Sequence, residues 1–270
     1  MSNYLEVIFT DLSEESSAVL NYYLGEKGVE SIVEDEGFTK AYYTAEKWEE
    51  VKSYFDKWSP DVHEVKNENW NAVWEASFEP VKINEFCYVR APFHPALENS
   101  EVIDLILEPK MAFGTAHHET TYMMMSQMED VDFSGKRVFD FGCGTAILSI
   151  LAEKLGAEAI YAIDIEDNAI ENAIYNAEIN GCSKIRCEVK TLEQTEAEDY
   201  DVILANINRA VLLSSAGPLV PYLKTGGTLL LSGILLSDES LVKNQYLEAG
   251  FTHLETIEKG EWKCIKFTIF

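Results

Sequence analysis

The residues best suited to chemistry in this chain are carboxylates, amides and glycines set at intervals, rather than a cluster of nucleophiles. Asp140-Phe141-Gly142-Cys143-Gly144-Thr145 stands between a short apolar run at 138–141 and a segment, 145–155, with helical spacing. A strand that ends in a glycine-rich turn and feeds a helix brings backbone N–H groups and a helix N-terminus to whatever sits in the turn. Glycine lets the backbone approach a ligand that a Cβ would push away. A dinucleotide turn has the form G-x-G-x-x-G and holds a pyrophosphate. Here Ile147 takes the place of the third glycine, and Asp140 precedes the first glycine by two positions. A carboxylate at that point repels a pyrophosphate and attracts a cation. The sulfonium and amino group of S-adenosylmethionine have the matching sign.

Two further strand ends carry polar groups. The run AIYAID at 159–164 ends in Asp164, about 20 residues beyond Gly144, the interval at which a strand-end acid reaches the two hydroxyls of a ribose. A helix-capping aspartate is the plainer alternative. Asn206 closes the apolar run DVILANI at 201–207, where an amide at a buried edge has to find partners. The stretch FGTAHHETT at 113–121 places Phe113, His117, His118, Thr120 and Thr121 just before a helical run at 122–128. Adjacent histidines point to different sides, so no metal site is expected from them. Hydroxyl and imidazole groups at a helix start can hold a polar ligand, with Thr120 or Thr121 as the expected helix cap.

These residues need elements to position them. Alternating apolar runs at 4–9, 31–33, 38–43 and 62–65, with helical spacing behind Asp11 and Thr44, give the order β-α-β-β-α-β of a ferredoxin-like α+β domain over 1–68. Residues 69–84 hold two tryptophans, a phenylalanine and a proline, which a merely polar linker does not need; an ordered aromatic connector is expected. From 85 to 270, strands alternate with helices, and the two last runs, 252–257 and 262–270, form a hairpin through Lys259-Gly260. That pattern gives a mostly parallel α/β sheet with an antiparallel end.

The 270 residues include 47 acidic and 21 basic side chains, a formal net charge of −26. Such acidity repels nucleic acid and suits a basic partner, although solubility alone is the simpler account. Five scattered cysteines form neither a C-x-x-C pair nor a zinc set, as expected of reduced thiols in a cytosolic protein. The acidic N-terminus and the lack of a long apolar run point to no signal peptide, no membrane association and a cytoplasmic location.

The ordered set FGTAHHETT, DFGCGTAILSI, AIDIEDNAIENA, DVILANI and LSGIL, with NWNAVWEASFEPVKI before it, resembles the Rossmann-like methyltransferases that use S-adenosylmethionine. Within them it is most similar to the ribosomal protein L11 methyltransferase family. The resemblance runs from about Asn69 to the C-terminus. It implies a cofactor site of Thr121, Asp140, Gly142, Gly144, Asp164 and Asn206, and it places Phe113, Thr120 and Asn206 around a target amine. His118 is the candidate base, with packing of its loop as the alternative. The resemblance further implies that the N-terminal domain recognises ribosomal protein L11 as a basic protein substrate. A monomer without direct nucleic-acid contact is expected. Ala116 stands where a glycine is usual in the family, and Asn208 and Arg209 match no family role. An Asn-Pro-Pro-aromatic corner, used to grip planar nitrogens, is missing after Asn206, which favours a flexible alkyl amine. Two alternatives stand beside this reading: a same-fold methyltransferase with another protein or a small amine as acceptor, and a nucleotide-binding protein such as an NAD-linked oxidoreductase.

Overall fold

In the computed structural model, residues 4–10, 13–35, 38–64, 79–97, 101–108 and 114–270 are described. By its contacts the chain divides into two compact units, residues 1–77 and 78–270. The first is built on alternation. Strands β1 (Tyr4–Thr10), β2 (Ser31–Asp35), β3 (Phe38–Thr44) and β4 (Asp61–Glu64), with helices α1 (Glu14–Glu26) and α2 (Ala45–Val51), form one antiparallel sheet in the order β2-β3-β1-β4. This is the ferredoxin-like arrangement. Every second residue of β1 and β3 turns inward, so Val7, Phe9, Ala41 and Tyr43 meet Leu20, Leu24, Trp48 and Phe55 in a closed core. Ser13, rather than Asp11, caps α1 by accepting from the Ser16 N–H at 3.2 Å; Asp11 lies outside the described residues. Residues 69–78 of the aromatic connector also lie outside them.

The second unit opens with a three-stranded sheet, β5 (Val81–Ile83), β6 (Cys87–Arg90) and β7 (Ile103–Ile106). Val81–Ile83, expected as the end of the connector, pairs instead with β6. Helix α3 (Glu119–Met128) then leads into β8 (Arg137–Phe141), α4 (Ile147–Lys154), β9 (Ala159–Asp164), α5 (Asp167–Ile179), β10 (Ile185–Val189) and β11 (Tyr200–Asn206). Helix α6 (Arg209–Ser215), β12 (Leu223–Leu235), α7 (Glu239–Glu248), β13 (Thr252–Lys259) and β14 (Trp262–Thr268) complete it. The main sheet has the order β10-β9-β8-β11-β12-β14-β13, and β14 runs antiparallel to both neighbours. The chain winds outward from β8 through β9 to β10 and then returns to β11. The crevice for a ligand in such a sheet opens where the winding reverses, at the C-terminal ends of β8 and β11.

Strand periodicity divides the core between two faces. Val138, Leu204 and Leu230 turn toward α4 and the buried methionines Met123, Met124, Met125 and Met128 of α3. Phe139, Ile203 and Leu229 turn the other way, toward Leu212, Val242 and Tyr246. Strand β12 is longer than its apolar run at 227–231 suggests. It continues through Gly233, where its register against β14 shifts between Leu231 and Ile234. No described helix is long and apolar enough to cross a membrane.

Candidate functional site

The glycine-rich turn is held from its neighbouring strand. Gly142 and Cys143 both donate their N–H groups to the Ile163 carbonyl at 2.9 Å, which ties the end of β8 to β9. Gly144 donates its N–H to Asp164 Oδ2 at 2.9 Å, and Glu166 donates its own to Oδ1 at 3.1 Å. The Asp164 carboxylate therefore stands at the mouth of the turn, fixed from two sides. Gly142 and Gly144 have φ of 78° and 52°, a region that costs a residue with a Cβ roughly 1–2 kcal/mol.

Asp140 lies behind the turn and is buried. Its Oδ2 accepts from the Ser149 hydroxyl at 2.6 Å, and its Oδ1 has no partner among the described residues. Burial pushes its pKa up to about 7 against the Ser149 hydrogen bond, and the negative charge of Asp164 adds to the rise.

Across the crevice, Asn206 ends β11. Its Nδ2 donates to Thr121 Oγ1 at 3.2 Å, while Oδ1 is buried and has no partner among the described residues. Thr120 and Thr121 are buried in the first turn of α3, and neither caps that helix. The cap is His118, whose Nδ1 accepts from the Thr120 N–H at 3.3 Å and lies 2.7 Å from the Thr120 hydroxyl. The His118 ring also meets Trp262 edge-on at 5.1 Å. The loop before α3 is pinned to the turn, because Thr145 donates its hydroxyl to the Gly114 carbonyl at 2.8 Å. Ala116 adopts a φ of 62° there, so the alanine takes up the left-handed conformation that a glycine reaches without strain.

These groups share one cavity of about 760 Å³. His118, Thr120, Thr121, Gly142, Gly144, Asp164 and Asn206 all line it; Asp140 sits beneath the turn, and Phe113 lies outside the described residues. Among the described residues no group of three or more His, Cys, Asp and Glu could hold a metal ion.

The family model for ribosomal protein L11 methyltransferase (PrmA) matches residues 6–269. The chain belongs to that family. A ribosomal protein L11 methyltransferase of Porphyromonas gingivalis is 42% identical over 217 residues, covering 80% of this chain and 72% of that protein. One of Bacteroides fragilis is 34% identical over 268 residues, with 95% of each chain covered. The crystal structure of a ribosomal protein L11 methylase from Lactobacillus delbrueckii subsp. bulgaricus superimposes with a TM-score of 0.66 at 26% identity, over 71% of this chain and 99% of that one. As a member of the family, this chain is an S-adenosylmethionine-dependent methyltransferase with a Rossmann-like fold.

The site of this methyltransferase fits its cofactor. A Cβ added at Gly142 would come within 2.2 Å of Ile207 Cγ2, so glycine is needed for the turn to pack beside Ile207 at the cavity wall. The carboxylates present, Asp164 at the strand end and Asp140 beneath the turn, suit a ribose and a cationic ligand, respectively.

Several lining residues are not marked by any local motif. Asn208 caps α6 by accepting from the Val211 N–H at 3.1 Å, and Arg209 pairs with Asp238 at 2.8 Å across the rim. Asp238 precedes α7 but does not cap it; its carboxylate turns to Arg209 instead. Behind the site, the amides of α5 and of its C-cap residue Asn180 act as stand-ins for backbone. Asn180 accepts from the Ile106 N–H at 2.8 Å and donates to the Ile106 carbonyl at 2.6 Å, while Asn176 accepts from Glu108 N–H at 3.0 Å and donates to the Thr145 carbonyl at 3.1 Å. Asn172, Asn176 and Asn180 recur at helical spacing, and that stripe is the signal by which a polar seam could have been read.

Proposed function

We propose that this methyltransferase transfers methyl groups from S-adenosylmethionine to amino groups of ribosomal protein L11, on lysine side chains, the N-terminal amine or both. The observation that carries the amine reading is Asn206, whose amide ends β11, is tied to Thr121 through Nδ2, and belongs to the cavity that the glycine-rich turn also lines. When bound, S-adenosylmethionine supplies a methyl carbon already activated by the positive sulfur. The protein has to supply alignment and a neutral nucleophile. A lysine ammonium, with pKa ~10.4, or an α-ammonium, with pKa ~7.7–8.0, has no lone pair until it loses a proton. Asn206 Oδ1 accepts one N–H of the neutral amine and directs its lone pair, and water carries the proton away.

The remaining residues take supporting roles in this reading. Asp164 holds the ribose hydroxyls, Gly142 and Gly144 admit the methionine portion, and Asp140 balances its cationic end from beneath the turn. Thr121 orients the Asn206 amide, and Thr120 shapes the space around the amine, a role that the family resemblance also implies for Phe113. His118 serves as a positioning group, because its Nδ1 caps α3 at Thr120. The first unit recognises the ribosomal protein, the connector that begins at residue 69 and ends before β5 joins it to the catalytic unit, and the net charge of −26 draws a basic partner. The same acidity argues against direct binding to nucleic acid. A cytoplasmic monomer is the form proposed.

The test is incubation with methyl-labelled cofactor and purified ribosomal proteins, with the labelled band identified by mass spectrometry. Label in ribosomal protein L11 is expected. Label in a different protein and none in L11 would keep the chemistry and discard the partner.

A further inference from the structure

Two glycines, one in the turn after β8 and one within β12, converge on the residue that follows Asn206. Asn206 is the register partner of Ser232 in the parallel pairing of β11 with β12. One residue on, Gly233 has a φ of 85°, and a Cβ added to it would lie 2.1 Å from the Ile207 carbonyl oxygen. The backbone of Ile207 thus rests directly on the Gly233 Cα, at the point where β12 shifts its register against β14. On the other side, Ile207 Cγ2 fills the space in front of Gly142, where a Cβ would approach it to 2.2 Å. Ile207 is therefore gripped by its main chain at one glycine and by its side chain at the other. Both glycines and Ile207 line the cavity.

We infer that Ile207 is a positioning residue that sets the spacing between the two halves of the site, an inference that rests on the methyl-transfer reading above. Asn206 belongs to the amine half, and the turn at Gly142 belongs to the methyl-donor half. Ile207 is joined covalently to the first and packed against the second. Its β-branched side chain has little freedom at χ1, so a shift of the turn is passed to the Asn206 amide and the reverse. Without the Cγ2 contact, each half keeps its own hydrogen bonds but loses its register with the other. In-line transfer is sensitive to such a loss, since a misplacement of about 1 Å can cost about 100-fold in rate.

The test combines Ile207→Val, Ile207→Ala, Gly142→Ala and the double variant Gly142→Ala/Ile207→Ala, with S-adenosylhomocysteine as the calorimetric probe. Ile207→Val keeps both branches at Cβ and is expected to retain kcat within about twofold. Ile207→Ala is expected to lower kcat about 10- to 100-fold, while S-adenosylhomocysteine affinity stays within about threefold. Gly142→Ala should weaken that affinity at least about 100-fold in the Ile207 background. In the Ile207→Ala background the same change should cost at least about tenfold less, because the next Ile207 atom from the added Cβ is its own Cβ at 3.7 Å. The strain of alanine at a φ of 78° is present in both backgrounds and cancels in the cycle. If Gly142→Ala alone does not fold, recovery of a cooperative melting transition in the double variant reads the same coupling. Equal cost in both backgrounds, or an unchanged kcat in Ile207→Ala, overturns the inference. A wild-type protein that transfers no methyl group to any ribosomal protein overturns the functional reading instead, and leaves the binding cycle to be judged by itself.

Discussion

Asp140→Asn separates the two things that a buried carboxylate does beneath the glycine-rich turn. Asp140 is 1% exposed, and its pKa is raised by burial from 3.8 to about 7. In the unfolded chain the group ionises near its ordinary value, whereas the folded protein holds the proton up to about 7. Between those limits the unfolded state binds fewer protons, so this group's contribution to stability falls as pH rises and levels off above about pH 7. At about 1.4 kcal/mol per pH unit, the gap sets a ceiling of about 4 kcal/mol for the cost of the ionised group. Asparagine has nearly the same shape, accepts the Ser149 hydroxyl through Oδ1 and carries no charge. In urea unfolding the Asn variant is therefore expected to exceed wild type by about 2–4 kcal/mol at about pH 8, and by less than about half of that at about pH 5. The same variant should bind S-adenosylmethionine about tenfold more weakly, because the negative charge beneath its cationic end is gone. An Asn variant less stable than wild type at pH 8, or a stability gap independent of pH, would show that burial does not hold the Asp140 proton.

Three further changes probe the rest of the site. Asp164→Ala removes the acceptor of the Gly144 and Glu166 N–H groups together with the proposed ribose contact; S-adenosylhomocysteine affinity should fall at least about 100-fold by calorimetry, at about 1.5–3 kcal/mol for each hydrogen bond to a charged group. Asn206→Ala should lower kcat about 100-fold or more and change cofactor affinity by only a fewfold, a split that single-turnover kinetics beside calorimetry would resolve. His118→Asn should keep the pH–rate profile of the wild type with activity within about tenfold, as expected of a helix cap; loss of an ionisation from the profile would instead identify His118 as the base.

Much of the fold was legible because its signals are local. Period-two alternation in β1 and β3, the glycine-rich turn after β8 and the interval from Gly144 to Asp164 each reflect a steric or hydrogen-bonding need met within a few residues or one β-α-β unit. Those patterns determined the ferredoxin-like and Rossmann-like architectures and the class of ligand. The α3 cap is His118 and not the threonine that local rules favour, because the imidazole competes with a hydroxyl only once the loop is folded against Trp262.

Contacts across the sheet had no such local signature. Asn206 meets Thr121 across 85 positions of sequence, and Asn180 pairs with Ile106 across 74. An amide or a hydroxyl tolerates many partners, so residue type alone does not choose among them. The same holds for Ile207: an isoleucine after a buried strand reads as ordinary core until the topology sets Gly142 on one side of it and Gly233 on the other. Local patterning is enough to specify which elements form and which chemical groups stand at their ends. Which ends share a cavity depends on strand order and register, and these are set jointly by packing on both faces of the sheet, beyond the reach of any local pattern.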